Sequence, residues 1–164
     1  MLWDDVTAPR KGWYVACVED LGPDPRGHQC CEACGKVTVR YLHVLRHVDY
    51  GQDVLCGCEC AAKMVEDPAS VYAAEKHAVN IARRRATFSN LSGWVRANNG
   101  SGNLRLKKDG LICVIASGKF GGFTGSFKSR NDPSAGWLGT GRYVKTEDEA
   151  KADLFEAIVA SGYI

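Results

Sequence analysis

Two short cysteine-rich stretches decide how the first half of this chain folds: CCEACG at residues 30–35 and CGCEC at residues 56–60. Two closely spaced sets of thiols, separated by a loop or hairpin, are typical of a tetrahedral zinc site. Seven of the eight cysteines lie in the first sixty residues. The amino-terminal half is therefore predicted to fold around a metal, with zinc as the cofactor.

The favoured ligand set is a Cys-x-x-Cys pair followed by a Cys-x-Cys pair: Cys31, Cys34, Cys58 and Cys60. Other side chains lie close enough in sequence to replace one of these ligands, and they stay open as alternatives: Cys30, Cys56, His43 and His47. A four-thiolate zinc site supplies folding energy and leaves no position for a catalytic water. No deaminase motif and no Ser-His-Asp or Cys-His arrangement is recognisable, so the sequence favours a protein that is not an enzyme.

Composition is that of an ordinary folded protein, with 164 residues, 45% hydrophobic side chains and a formal net charge of +2. No apolar run is long enough for a membrane helix, and the first residues lack the pattern of a secretory signal. We therefore expect a cytoplasmic protein without a membrane partner. Disulfides are rare in that compartment, which favours metal thiolates over the competing interpretation of a secreted disulfide scaffold.

The order of sequence signals predicts an α+β protein in three parts. Residues 1–66 form a small zinc-ribbon-like domain, and residues 67–90 form a basic connecting helix. Residues 91–164 form an antiparallel sheet with one packed helix, in the order β-β-β-(β)-α.

Local patterns supply the element boundaries within these parts. Strands are predicted at residues 37–44, 53–55, 104–108, 111–117, 123–128 and, more briefly, 142–144. Asp67 can cap a helix that has Pro68 at its first position and runs to about Phe88. Thr146 and Glu149 have the spacing of a capping box that begins the last helix.

The basic residues are concentrated in the middle of the chain. Residues 61–110 carry nine basic and four acidic side chains, whereas residues 1–60 carry six and nine. A local excess of positive charge can attract a polyanion. The candidate phosphate contacts are Lys76, Arg83, Arg84, Arg85, Arg96, Arg105 and Lys107.

Several of these segments together resemble a group of small cysteine-rich, zinc-ribbon-like proteins of phages and mobile genetic elements. The matching stretches are residues 31–35, 39–47, 57–64, 81–85 and 94–103. The resemblance implies a metal-bearing first half and no particular activity. It matches the four favoured cysteines and both histidines, and leaves Cys30 and Cys56 outside its pattern.

Two functions follow from these patterns. The first is a non-enzymatic, zinc-stabilised binding protein that contacts nucleic acid or a nucleoprotein complex through its basic middle. The alternative is a phage-type inhibitor or adaptor that binds and blocks a host enzyme or defence complex. Salt dependence separates the two, since phosphate contacts weaken steeply as salt rises.

Overall fold

The computed structural model describes residues 1–36, 38–132 and 134–164, and the chain divides into two compact units, Met1–Ala82 and Arg83–Ile164. The predicted α+β class is confirmed, with two antiparallel sheets and three α-helices in the described chain. The boundary between the units lies inside a long helix, whereas the sequence placed boundaries on either side of that helix.

The first unit contains a three-stranded antiparallel sheet in the order β1-β2-β3. The strands are β1 (Tyr14–Asp20), β2 (Tyr41–His47) and β3 (Tyr50–Cys56). The predicted hairpin is present, with β2 beginning at Tyr41; Val37, where the sequence placed the start of this strand, lies outside the described residues. Strand β1 was not predicted, and it pairs with β2 across more than twenty residues of chain.

Two helices follow the hairpin, and the second of them crosses the boundary between the units. Helix α1 (Cys58–Met64) begins directly after Gly57 and was not predicted, since the second cysteine stretch was interpreted as the end of a ribbon. Helix α2 (Pro68–Phe88) begins and ends where the sequence placed it, and the Asp67 carboxylate accepts a hydrogen bond from Ala69 N. The core of this unit includes Trp13, Leu45, Val54, Met64, Val71 and the cysteines Cys31, Cys56 and Cys60.

The second unit contains a five-stranded antiparallel sheet in sequence order. Its strands are β4 (Val95–Arg96), β5 (Leu104–Lys108), β6 (Leu111–Ser117), β7 (Phe123–Ser129) and β8 (Leu138–Gly139). The strand that pairs with β7 on the edge away from β6 is β8, Leu138–Gly139. The predicted strand at 142–144 contributes only an isolated bridge between Val144 and Phe123.

Helix α3 (Glu147–Ala160) covers one face of this sheet. The Thr146–Glu149 capping box is confirmed, with both of its reciprocal hydrogen bonds present. The helix lies so close to β7 that a Cβ on Gly125 would come within 2.8 Å of Leu154 Cβ. Side chains alternate across each strand, so this contact defines an inner face towards α3 and an opposite, outer face.

Candidate metal centre

The first cysteine pair lies in a tight turn before β2. Gly35 N donates to Cys31 O at 2.7 Å, and Cys31 N donates to Lys36 O at 2.8 Å. Gly35 has a φ of +74°, which glycine adopts without steric cost. This turn brings the exposed Cys34 thiol back beside the buried Cys31 thiol.

The third thiol of the centre comes from α1. Gly57 caps the helix, and its carbonyl accepts from Cys60 N at 3.1 Å. Cys60 is therefore held on the first turn of α1 and points towards the cysteine pair. The sulfurs of Cys31, Cys34 and Cys60 all lie within 4.8 Å of one another, so they can bind a metal ion together.

The environments of these thiols differ although they are neighbours. The Lys36 backbone N–H bonds the Cys34 sulfur and, with the neighbouring thiols, lowers the pKa of Cys34. Burial, together with hydrogen bonds to the other two thiols, raises the pKa of Cys60 to about 12. A bound cation would favour the thiolate form of all three, since metal binding releases thiol protons.

Cys58, the fourth ligand predicted from spacing, does not lie with these three sulfurs. Cys58 and Cys60 are both in α1 and two positions apart, and side chains two apart on a helix do not face the same side. Burial raises the pKa of the Cys58 thiol, and so does its hydrogen bond to Glu75. Its assignment as a ligand therefore stays a prediction.

Cys56 lies at the end of β3, beside the cysteine pair. The backbone next to it is tied to the turn, because Glu32 N donates to Leu55 O at 2.8 Å and Leu55 N donates to the Glu32 carboxylate at 2.7 Å. The thiol is fully buried, and burial raises its pKa well above the usual range. Charge on Cys31 and on Cys60 raises the pKa of Cys56 further, although the Cys56 sulfur is not within 4.8 Å of all three clustered sulfurs.

The remaining alternative ligands have other surroundings. Cys30 is exposed. His43 is fully buried, with Nε2 3.4 Å from Val71 O and 3.7 Å from a Glu75 carboxylate oxygen. His47 packs against Trp13, and its Nδ1 accepts from Asp49 N at 3.0 Å.

An open cleft of about 230 Å³ adjoins the three thiols. Cys31, Cys34 and Cys60 line it together with Cys58 and Glu75. The cleft gives a metal ion a route to the site from solvent. Sequence spacing could not reveal Glu75 as a neighbour, because it comes from α2.

Several of the predicted phosphate contacts already have acidic partners. The Arg85 guanidinium bonds both carboxylate oxygens of Glu156, at 2.5 and 2.9 Å. Arg96 Nη2 lies 2.9 Å from Glu147 Oε1, and Arg84 pairs with Asp109. These carboxylates offset positive charge that the sequence had suggested was available to bind a polyanion.

The other predicted contacts are exposed residues of α2 and β5. Lys76 is an exposed residue of α2 in the first unit, and Arg83 is exposed on the same helix in the second. Arg105 and Lys107 project from β5, where the intervening Leu106 is buried. Lys128, which the sequence did not assign, lies against Trp137, a candidate from the sequence for stacking on a base, with the lysine Nζ 5.2 Å from the indole centroid.

Comparison of the chain with protein-family models, curated proteins and solved structures gave no match. Among the described residues, no helix has both the length and the apolar character needed to cross a bilayer.

Proposed function

We propose that this chain is a zinc-stabilised, non-enzymatic protein whose second unit contacts nucleic acid. Zinc is the metal that fits a cluster of cysteine sulfurs at close range, since its sites are tetrahedral and rich in thiolates. Zn–S bonds of 2.3 Å place neighbouring sulfurs roughly 3.8 Å apart. The spacing of Cys31, Cys34 and Cys60 needs only a small contraction to reach that value. We place the protein in the cytoplasm, where thiols stay reduced.

The fourth ligand in this proposal is Cys56. It is buried in the same core as Cys31 and Cys60, whereas Cys58 lies on another side of α1 and bonds Glu75. In this proposal the Cys56 side chain moves towards the other three sulfurs when zinc binds and completes a closed four-thiolate site. Such a site stabilises the fold and has no open position for a substrate.

Replacing single cysteines tests this ligand set. Cys56→Ser is expected to lose most of its bound zinc, because a hydroxyl is a much poorer zinc ligand than a thiolate. Cys58→Ser is the matched control and is expected to keep one zinc per chain. Metal analysis of the purified variants measures both. Full zinc content in Cys56→Ser together with loss in Cys58→Ser would restore the assignment made from spacing.

The observation that carries the nucleic-acid proposal is the unequal charge of the two units. Residues 1–82 have 8 Lys and Arg against 12 Asp and Glu, a net charge of −4. Residues 83–164 have 13 against 7, a net charge of +6. The modest charge of the whole chain conceals this separation, which supports contact between the second unit and phosphates.

Binding to oligonucleotides is expected to fall steeply as salt rises. If three to five phosphates are neutralised, the slope of log affinity against log salt should be roughly −3 to −5. Fluorescence anisotropy of labelled oligonucleotides, measured from about 50 to 200 mM salt, provides the slope. Absence of binding at the lowest salt contradicts the proposal.

A second candidate function is that of an inhibitor or adaptor that binds a host protein, as in a phage. Exposed aromatic residues favour it: Phe120 is 97% exposed and Tyr143 is 64% exposed. Aromatic side chains of this kind dominate binding energy at protein interfaces. This candidate predicts a partner captured equally well at low and high salt, with no binding to oligonucleotides.

A further inference from the structure

The outer face of the five-stranded sheet is a regular array of side chains in the second unit. Strand register places Arg105 opposite Val114, and Lys107 opposite Ile112, which in turn lies opposite Lys128. Residues directly opposite one another in a sheet project from the same face. The face therefore consists of Val95, Arg105, Lys107, Ile112, Val114, Ala116, Thr124, Ser126, Lys128 and Gly139.

The cations on this face have no acidic neighbours on it. Within the described chain, Arg105, Lys107 and Lys128 make no ion pair, and no Asp or Glu occupies the face. Five of the seven acidic residues of this unit belong to α3, which covers the inner face. Arg96 lies opposite Leu104 on the inner side, where it bonds Glu147 of α3. The sheet therefore separates a mixed-charge side from a purely cationic one.

One aromatic ring extends the cationic face beyond β7. Trp137 is 50% exposed and lies against Lys128, with the lysine Nζ 5.2 Å from the indole centroid. The contact limits the motion of the Lys128 side chain, so less conformational entropy is lost when its ammonium meets a phosphate.

We infer that the outer face of this sheet docks on duplex DNA, with Arg105, Lys107 and Lys128 as its phosphate contacts. The inference rests on the proposed nucleic-acid function and assigns that function to a surface and a class of nucleic acid. Charge complementarity supports the occupant, because a face with three cations and no carboxylate is suited to a polyanion and not to a mixed protein surface.

The shape of the face favours a duplex of B-form DNA over other nucleic acids. The major groove of B-DNA admits a two-stranded β-ribbon, which two adjacent strands of this sheet supply, whereas side chains cannot read the deep, narrow major groove of A-form RNA. Single strands are usually bound on several aromatic side chains on which successive bases stack. Among the described residues, the strands place no aromatic side chain on this face, where Ala116 and Ser126 are small. The aromatic rings at its margins are Trp137, beside Lys128, and Tyr143, which lies against Gly118 and Gly122 where β6 ends and β7 begins.

A pair of double variants tests the surface. Lys107→Gln with Lys128→Gln removes two cations from the outer face. Lys108→Gln with Lys145→Gln removes the same charge elsewhere, and Lys108 is the neighbour of Lys107 on the opposite side of β5. Loss of two phosphate contacts should reduce affinity for duplex DNA on the order of 50-fold at 0.1 M salt and flatten the salt slope by about 2. The control pair should change affinity by less than about threefold.

The probes are a 20-base-pair DNA duplex, its single strand and the matching RNA duplex, each titrated with the full zinc-loaded chain. Equal loss in both double variants would overturn the surface, because net charge alone would then explain binding. Binding of the single strand or the RNA duplex at least as tightly as DNA would overturn the duplex assignment and leave the proposed function standing. No binding of any probe would overturn both.

Discussion

Chelation of the metal is expected to unfold the first unit, residues 1–82, and to leave the second unit, residues 83–164, folded. Three thiols of the proposed site, Cys31, Cys56 and Cys60, belong to the core of the first unit. Structural zinc contributes about 10–16 kcal/mol of apparent binding free energy in small zinc-binding peptides. That is as large as the whole stability of an ordinary domain, about 5–15 kcal/mol. Without metal, the loss of this crosslink leaves too little binding free energy to hold the core of the first unit.

Hydrogen exchange before and after chelation measures the effect residue by residue. Protection should disappear first around residues 31–60 and persist in β5, β6 and β7. Adding zinc back should restore it, which serves as the control for damage to the chain. Simultaneous loss of protection in both units would instead indicate a single cooperative fold, and unchanged protection would show that the metal is not part of the folding energy.

Phe127→Ala is expected to destabilise the second unit while the zinc content stays unchanged. Chelation, in contrast, is expected to unfold only the first unit. Phe127 is fully buried in the middle of β7 and meets Tyr163 edge-on at 5.7 Å. Truncating a buried phenylalanine to alanine leaves a cavity and costs about 3–5 kcal/mol. The metal site lies in the other unit, so its ligands are untouched by the change.

Phe120→Ala provides the matched control, because it removes the same side chain from a position that is 97% exposed. We expect that variant to change the free energy of unfolding by less than about 0.5 kcal/mol. Urea denaturation followed by circular dichroism, with metal analysis of each folded sample, compares the two. Equal stability of both variants would mean that β7 is not under α3 as described, and zinc loss in Phe127→Ala would mean that the units do not fold separately.

Local signals were sufficient for the elements whose structure depends on nearby residues. Asp67 and Pro68 marked the start of α2, and Thr146 and Glu149 marked the start of α3, because capping bonds join residues only two or three apart. The turn at Asp109-Gly110 was also recognisable. Asp109 has a φ of +51° and Gly110 of +74°, as the tight turn between β5 and β6 requires.

Elements that depend on distant partners were missed or misplaced. Strand β1 exists because it pairs with β2. Its sequence, YVACVED, lacks a clear alternation of apolar and polar residues that would have predicted a strand. The strand beside β7 is Leu138–Gly139, although residues 142–144 have the better strand composition. The path of the chain in space decides which segment pairs with the edge of a sheet. Local composition does not predict that path.

The sequence by itself determined that thiols would gather in the first half of the chain, because cysteines only two or three positions apart stay close together in space. Tertiary structure decided which thiols meet. The start of α1 at Cys58 turns that side chain away from Cys60, and hydrogen bonds between Glu32 and Leu55 bring the end of β3 against the first cysteine pair. The positive charge of the chain was likewise determined in part by the sequence and in part by the tertiary structure. The number of arginines and lysines is a property of the sequence. The carboxylates of α3 decide that Arg85 and Arg96 are ion-paired, and the alternation of β5 decides on which side of the sheet each of its cations lies, because ion pairs and sheet register join segments far apart in the chain.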